Sequence, residues 1–375
     1  MSRSGLAAVA LALLASAGAT AQSTRFVAFG DSVTEGVGDE TGQGGYPARL
    51  EALLNGEGTP ATVENEGLAG ETTAEGLTRM SAISGSAADT FLLMEGTNDI
   101  SAQISPETIA ANLDAMALKA GKQGFGRVVL ATVVPRLPGV PAPSTIRETE
   151  YLGWYVRQTS YDLGTPLADP FEAFSQRPGN LADIYSDSFH PNGEGYDLLA
   201  ETIADVVQER DRVGPVPAFL IPVDGADDVE PDVQLQIVIF DLGSGIDRSA
   251  TTMLLDGDPV SASVNGDGQR LRLRYRPMKP LNGRVRLGVR SRDLATPPNE
   301  IDRTVADFVV LGSEFLTGDI DQSGRVDGAD LVRLALAFGS HRGQTRFDAA
   351  ADLDDDNQVD GTDLALLAAN FGASL

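Results

Sequence analysis

The first half of the chain alternates short apolar runs with amphipathic stretches. The runs at 26–29, 91–94 and 127–134 are almost entirely apolar, which is typical of strands buried on both faces of a parallel sheet. The stretch 106–120 repeats its apolar residues with a helical period, and Ser105 before a proline favours a helix start there. This alternation predicts an α/β fold, a three-layer α/β/α sandwich around a parallel sheet.

After about residue 214 the helical period gives way to a period of two. The segments 233–239, 270–275 and 284–289 alternate apolar and polar residues, and Gly- and Asp-rich turns separate such segments. This pattern predicts an all-β sandwich. The segment 241–247 resembles a turn of bacterial immunoglobulin-like modules, which implies a spacer domain. A carbohydrate-binding role is the alternative, and no cluster of aromatic residues supports it.

The end of the chain contains two copies of one acidic loop, 33 residues apart, and each copy is followed by an apolar run. Oxygen ligands at loop positions 1, 3, 5, 7 and 12 are the spacing with which such loops bind calcium. The candidate ligands are Asp319, Asp321, Ser323, the Arg325 carbonyl and Asp330 in the first loop, and Asp352, Asp354, Asp356, the Gln358 carbonyl and Asp363 in the second. Gly324 and Asn357 stand at position 6, where the loop turns sharply.

Position 12 of each loop is Asp rather than the Glu of an EF-hand, and a single helix is expected after each loop. Residues 317–373 therefore resemble the dockerin module of polysaccharide-degrading bacteria. The resemblance implies structural calcium and a cohesin-like protein partner. Positions 10 and 11 are Gly328-Ala329 and Gly361-Thr362, whereas the best-known dockerins carry hydroxyl residues there. The sequence thus supports calcium binding more strongly than any particular partner.

The N-terminus and the composition indicate where the protein works. Arg3, the apolar stretch 6–15 and the small residues 19–21 fit a secretory signal, with a retained anchor as the alternative. Apart from this segment, no run is long and apolar enough to predict a membrane span. The chain has no cysteine and a net charge of −26, which argues against disulfides and against binding to nucleic acid or anionic membranes. We expect a secreted or otherwise extracytoplasmic protein, and a cell-surface location is also open.

These patterns divide the 375 residues into four predicted segments. They are a signal peptide at 1–21, a catalytic domain at 22–212, a β-sandwich at 213–312 and a small helical calcium module at 313–375. The last segment is too short to bury a large core, so bound ions are expected to stabilise it.

Four segments of the predicted catalytic domain contain chemically useful residues. Gly30-Asp31-Ser32 follows the first apolar run, and Asp187 stands three residues before His190, one of only two histidines. The Gly- and Asn-containing segments 65–70 and 96–99 lie between them, and each is expected to follow a strand. Serine becomes a nucleophile when a neighbouring base takes its proton, and a histidine base works best when a carboxylate orients it. The four segments therefore indicate acyl transfer.

In this order, the four segments resemble the SGNH (GDS-type) family of esterases and lipases, over about residues 25–212. The resemblance implies that Ser32 is the nucleophile, His190 the base and Asp187 the orienting acid. It also implies an oxyanion hole made by the N–H groups of Ser32 and Gly70 and by the Asn98 amide, with Asp31 in support. No Gly-x-Ser-x-Gly elbow occurs, which disfavours the α/β-hydrolase arrangement.

The predicted function is hydrolysis of carboxylic esters without a catalytic cofactor. The dockerin-like tail favours an acylated polysaccharide as the substrate, such as acetylated xylan, although appendages do not fix a substrate. Lysophospholipids or short acyl esters are alternative substrates, and acyl transfer to a sugar is an alternative reaction. A third alternative is an inert, calcium-stabilised scaffold or adhesion protein. The proline-rich segment 140–144 is a candidate substrate-facing loop.

Overall fold

The first folded region is built on a parallel sheet. The computed structural model describes residues 23–137, 144–311, 316–321, 323–354 and 356–374. The predicted signal segment and residues 140–143 of the proline-rich segment lie outside these ranges. The strands are β1 (Thr24–Gly30), β2 (Ala61–Gly67), β3 (Thr90–Met94), β4 (Arg127–Ala131) and β5 (Leu167–Ala168). They pair in parallel in the order β2-β1-β3-β4-β5.

Helices cover both faces of this sheet. They are α1 (Ser32–Glu35), α2 (Gly45–Gly56), α3 (Thr73–Arg79), α4 (Thr97–Ser101), α5 (Pro106–Lys122), α6 (Ser144–Leu163), α7 (Pro170–Ser175) and α8 (Gly193–Val207). Because side chains alternate along a strand, Phe26 and Ala28 of β1 join a core with α2 and α8. Val27 and Phe29 join a second core with α5 and α6 on the other face. The predicted three-layer fold is confirmed.

Two strand predictions need correction. The predicted strand 127–134 ends at Ala131, since the chain leaves the sheet there while residues 132–134 stay buried. Residues 65–67 were expected to follow a strand, but they belong to β2 itself. β2 is the edge strand and is largely polar, so its apolar pattern is weak.

Two facing sheets form the second region. The strands are β6 (Val216–Ile221), β7 (Ala226–Val229), β8 (Leu235–Phe240), β9 (Thr252–Leu255), β10 (Asp258–Val260), β11 (Ser263–Gly266), β12 (Arg270–Tyr275), β13 (Arg284–Arg292) and β14 (Glu300–Val310). One sheet has the order β10-β9-β13-β14-β7 and the other β11-β12-β8-β6. The inward side chains of both sheets share one core, as expected for a sandwich. Most pairs are antiparallel, and β14 with β7 is parallel.

The tail forms a small third region with internal symmetry. Its helices are α9 (Gly328–Ala337) and α10 (Gly361–Asn370), and β15 (Ser340–His341) pairs antiparallel with β16 (Gln358–Val359). Asp327 caps α9 and Asp360 caps α10, each in a capping box. A separate apolar cluster lies between the two repeats. The predicted helix after each acidic loop is confirmed.

The three regions contact one another through named side chains. Trp154 of α6 lies in the sandwich core, with its ring 5.8 Å from that of Phe219. Arg342 of the tail forms ion pairs with Glu150 of α6 at 2.8 Å and with Asp224 of the sandwich at 2.7 Å. Within the described ranges, no helix combines the length and apolar character needed to cross a membrane.

Candidate active site and calcium loops

Ser32 lies at the carboxyl end of β1, where the strand turns directly into the short helix α1. Asp31 caps this helix, since its Oδ1 accepts the Val33 N–H at 3.0 Å. The helix ends at Gly36, whose φ of +101° suits glycine. This tight strand-to-helix turn holds Ser32 at the edge of the sheet where parallel α/β folds bind ligands.

Ser32, His190 and Asp187 form one chain of hydrogen bonds. Nε2 of His190 lies 3.0 Å from Oγ of Ser32, and Nδ1 of His190 lies 2.7 Å from Oδ2 of Asp187. The other Asp187 oxygen accepts the N–H groups of Phe189 and His190, both at 2.9 Å. Burial would raise the pKa of Asp187, but the bonds from the His190 ring and these N–H groups outweigh it and lower that pKa. Asp187 is therefore a charged partner suited to orient the histidine and stabilise its protonated form.

The loop that bears His190 is fixed at both ends. The N–H of Leu137, past the end of β4, donates to the Ser188 carbonyl at 2.9 Å. Asn192 caps α8, since its Oδ1 accepts the Gly195 N–H at 3.1 Å. These contacts hold the loop against the sheet and keep His190 beside Ser32.

The three predicted oxyanion donors lie at the ends of neighbouring strands. Gly70 follows β2 and Asn98 lies in α4 just after β3, so they flank Ser32 at the end of β1. Within the described chain, no hydrogen bond uses the N–H of Ser32 or Gly70. One N–H of the Asn98 amide donates to the Glu71 carbonyl at 2.8 Å. The second amide N–H and the two backbone N–H groups are thus available to a substrate oxygen.

The backbone conformation at residue 70 explains why a glycine stands there. Its φ is +83°, a conformation that other residues rarely adopt. No protein atom lies within 4 Å of the place where a Cβ would stand, so protein packing does not require the glycine. The turn itself, and the open space beside it, fit the expected role.

Sequence reasoning assigned no role to a group of buried acids near these donors. Asp99 is fully buried and accepts the Thr73 hydroxyl at 2.6 Å and its N–H at 2.9 Å. Glu95 is also fully buried, and burial, with the neighbouring Glu71 next in effect, raises its pKa far above the usual range. Glu71 forms an ion pair with Arg79 at 2.6 Å. Glu95 directly follows an apolar strand, a position that could have drawn attention to it.

Each acidic loop of the tail brings its carboxylates together. One oxygen each of Asp319, Asp321 and Asp330 lies within 4.8 Å of the other two, and Asp352, Asp354 and Asp363 form the same arrangement. Burial, then the nearby Asp330 and Asp321, raises the pKa of Asp319 although the N–H of Gly324 and that of Ser323 oppose it. Oxygen ligands crowded in this way suit a hard cation such as calcium.

The remaining candidate ligands and the turn residues lie between these carboxylates in the chain. Position 6 has a φ of +80° at Gly324 and +70° at Asn357, as expected for the sharp turn. The Ser323 hydroxyl lies 3.3 Å from the Arg325 carbonyl, and Oδ1 of Asp356 accepts the Gln358 N–H at 2.8 Å. Asp356 is not among the three converging carboxylates of its loop. The residues at positions 1, 3 and 12 are therefore those that the fold itself gathers.

Comparison with known protein families finds a match for two of these regions. Residues 28–198 match the GDSL-like Lipase/Acylhydrolase family, and residues 317–371 match the Dockerin type I domain. The chain carries a GDSL-like lipase/acylhydrolase domain and a dockerin type I domain. Dockerin type I domains typically bind calcium, and the acidic clusters of this tail fit that property.

Three individual relatives each cover half of this chain or less. Esterase TesA of Pseudomonas aeruginosa is 33% identical over 107 residues, which are 28% of this chain and 53% of that protein. The chain thus spans about half the length of this curated relative. A lipase/acylhydrolase from Enterococcus faecalis has 25% identity and a TM-score of 0.43, covering 49% of this chain and 95% of its own. Axe2, an acetylxylan esterase from Geobacillus stearothermophilus, has 20% identity and a TM-score of 0.42, covering 49% of this chain and 93% of its own.

Proposed function

We propose that this protein is a secreted serine esterase that hydrolyses carboxylic esters with Ser32, His190 and Asp187. The observation that carries the proposal is the continuous hydrogen-bond chain from Oγ of Ser32 through His190 to Asp187. His190 takes the Ser32 proton through Nε2 while Oγ attacks the ester carbonyl carbon. Asp187 stabilises the positive charge that develops on the ring.

The reaction proceeds in two halves. The first tetrahedral intermediate expels the alcohol, which takes the proton from His190 and leaves an acyl group on Ser32. His190 then takes a proton from water as the water attacks this acyl-enzyme, and the carboxylic acid leaves as Oγ recovers its proton. In both halves the negative oxygen is bound by the N–H groups of Ser32 and Gly70 and by the Asn98 amide.

We propose acylated polysaccharide, such as acetylated xylan, as the substrate class. The dockerin domain supports this through association with polysaccharide degradation, since the domain architecture does not itself fix a substrate. Hydrolysis rates on acetylated xylan, short acyl esters and lysophospholipids are the direct comparison. Faster turnover of lysophospholipid than of the polysaccharide would contradict the assignment.

In the tail, Asp319, Asp321 and Asp330 would hold one calcium ion, and Asp352, Asp354 and Asp363 a second. Ser323, Asp356 and the carbonyls of Arg325 and Gln358 would complete the two shells. The ions would neutralise the crowded carboxylates and thereby stabilise a region with a small core. Their role is structural, and no step of ester hydrolysis uses them.

The tail is also the proposed docking site for a cohesin-like protein outside the cytoplasm. Val332 and Leu336 of α9 and Phe371 at the end of α10 are 61%, 75% and 55% exposed, which is unusual for large apolar side chains. Calorimetric titration of the full chain with purified cohesin modules in calcium tests this proposal. Absence of binding to every cohesin tried, under conditions where the tail is folded, would contradict it.

The catalytic assignment is tested by covalent labelling with a fluorophosphonate, which reacts with activated serines. We expect one labelled residue, Ser32, and loss of both labelling and ester hydrolysis in Ser32→Ala. Ser81→Ala is the matched control, since Ser81 is an exposed serine of the same domain that contacts Lys119. A wild-type chain that is not labelled, or a Ser32→Ala variant that retains activity, would favour the inert scaffold.

A further inference from the structure

A third group of acids lies outside both tail loops, where the catalytic domain joins the β-sandwich. Asp211, Asp241 and Asp293 each place one carboxylate oxygen within 4.8 Å of the other two. Asp241 and Asp293 are only 4% and 2% exposed. We call this group the junction cluster.

The fold brings the junction cluster together from three separate segments. Asp211 lies in the connection after α8, Asp241 directly follows β8, and Asp293 directly follows β13. β8 and β13 belong to opposite sheets of the sandwich. The junction cluster therefore joins the end of the catalytic domain to both sheets.

Backbone N–H groups hold each carboxylate in place. Oδ1 of Asp241 accepts the N–H of Gly243 at 3.1 Å and that of Gly245 at 3.0 Å. Oδ1 of Asp293 accepts the Asn299 N–H at 2.8 Å, and Oδ2 of Asp211 accepts the Ser244 N–H at 2.6 Å. The loop 241–245 thus binds a carboxylate from another segment while it fixes its own.

One polar atom of the junction cluster is left without a partner. Oδ2 of Asp241 is buried and has no hydrogen bond among the described residues. In the same described ranges, no ion pair with Lys, Arg or His includes Asp211, Asp241 or Asp293. Buried carboxylates are normally paired with a cation or bound to a metal, because an isolated buried charge is costly. The free oxygen therefore indicates a ligand.

Two further features fit an ion at this place. A Cβ on Gly243 would stand 2.6 Å from Cγ and Oδ2 of Asp211, so a larger residue there would displace that carboxylate. A cavity of about 1150 Å³ between the domains is lined by Asp211 and Asp241, among other residues, which gives an ion a route from solvent.

We propose that the junction cluster binds a calcium ion that ties the catalytic domain to the sandwich. All of the candidate ligand atoms are oxygens. Such a site favours a hard cation over softer metals, which prefer nitrogen or sulfur ligands. Calcium binds oxygens at about 2.3–2.6 Å, and three oxygens that all lie within 4.8 Å of one another are close enough to share one such ion. The ion would fix the orientation of the catalytic domain relative to the rest of the chain. This role does not depend on which ester the catalytic domain hydrolyses.

The first test counts ions in the full-length chain. The test starts from a variant, called the parent, that carries Asp321→Ala and Asp354→Ala. These substitutions remove one exposed candidate ligand from each tail loop and so weaken calcium binding there. After chelation and reloading with calcium, we expect Asp241→Asn in this parent to hold one ion fewer, measured by elemental analysis and by calorimetric titration. Asp302→Asn is the matched control, since it removes the same charge from an exposed residue of the same sandwich. Equal calcium content in the parent and the Asp241→Asn variant would overturn the proposal.

The second test uses the unmodified chain and so does not depend on a variant that folds. The N–H groups of Gly243, Gly245 and Asn299 donate to the carboxylates of the junction cluster. We expect calcium to slow hydrogen exchange in peptides that cover 241–245 and 293–299, as well as in the tail. Slower exchange in the tail alone, with both of these segments unchanged, would place no calcium at the junction.

Discussion

At the scale of single residues, the site depends on which groups the fold leaves without partners. The Asn98 amide uses one N–H on the Glu71 carbonyl and keeps the other free. Because Glu71 is itself held by Arg79, the amide is fixed before a substrate arrives. Donors fixed in this way act on the charge that develops in the transition state, at little cost in reorganisation.

We therefore predict that Asn98→Ala lowers kcat by ~10²–10³ and changes KM little. Steady-state kinetics on a soluble acyl ester measure both constants. Asn112→Ala is the control. The Asn112 amide donates to the Thr73 hydroxyl at 2.9 Å, two residues after Glu71, so its loss should lower stability more than turnover. An Asn98→Ala effect confined to KM would remove Asn98 from the oxyanion hole.

Asp31 gives a prediction about pH. Burial raises its pKa from 3.8 to about 6, although the Val33 N–H opposes the shift. Between these two values the unfolded chain has lost the proton that the folded chain keeps, so stability falls as the pH rises. The loss is complete above pH 6 and reaches at most about 3 kcal/mol.

Asp31→Asn removes this dependence and keeps an oxygen for the Val33 N–H. We expect the Tm of Asp31→Asn minus that of the wild type to increase from pH 4 to pH 7, measured by calorimetry of the catalytic-domain transition. Asp302→Asn, which removes an exposed carboxylate of the sandwich, is the control for the loss of one charge. A constant difference for Asp31→Asn would show that Asp31 does not carry the shifted pKa.

At the scale of elements, helices and strands with a strong hydrophobic pattern were predictable, and those with a weak pattern were not. The helix predicted at 106–120 extends over Pro106–Lys122 with Ser105 as its cap, because an amphipathic pattern and a capping residue agree there. The extent of β2 was not predicted, because an edge strand such as ATVENEG carries few buried side chains. Residues 132–134 were assigned to a strand because burial keeps them apolar after the strand has ended.

The candidate site was predictable to a similar degree. Ser32, Asp187 and His190 lie in recognisable motifs, and the fold places them within hydrogen-bonding distance. The full burial of Glu95 and Asp99 was not predicted, although Glu95 directly follows an apolar strand. The junction cluster was also invisible, since its members lie in three segments that meet only after two sheets have formed.

At the scale of the whole molecule, the tail has a core of its own, whereas Trp154 of the catalytic domain packs into the core of the sandwich. The tail core shares no residue with the two cores of the catalytic domain. Arg342 nevertheless links the tail to Glu150 and Asp224, and it is 12% exposed. Unfolding of the tail would therefore expose two carboxylates without disturbing the packing around Ser32.

This separation predicts the effect of removing calcium. In EGTA with excess magnesium, repulsion among the tail carboxylates should unfold the tail, so that trypsin cleaves at Arg333 within α9. With calcium present the same site should be protected, since Arg333 then pairs with Asp348 at 2.7 Å in a folded helix. We expect kcat/KM for a soluble ester to be the same in both conditions, because the catalytic cores do not include the tail. Protection in EGTA would show that the tail folds without calcium, and lost activity there would show that the catalytic domain depends on a bound ion.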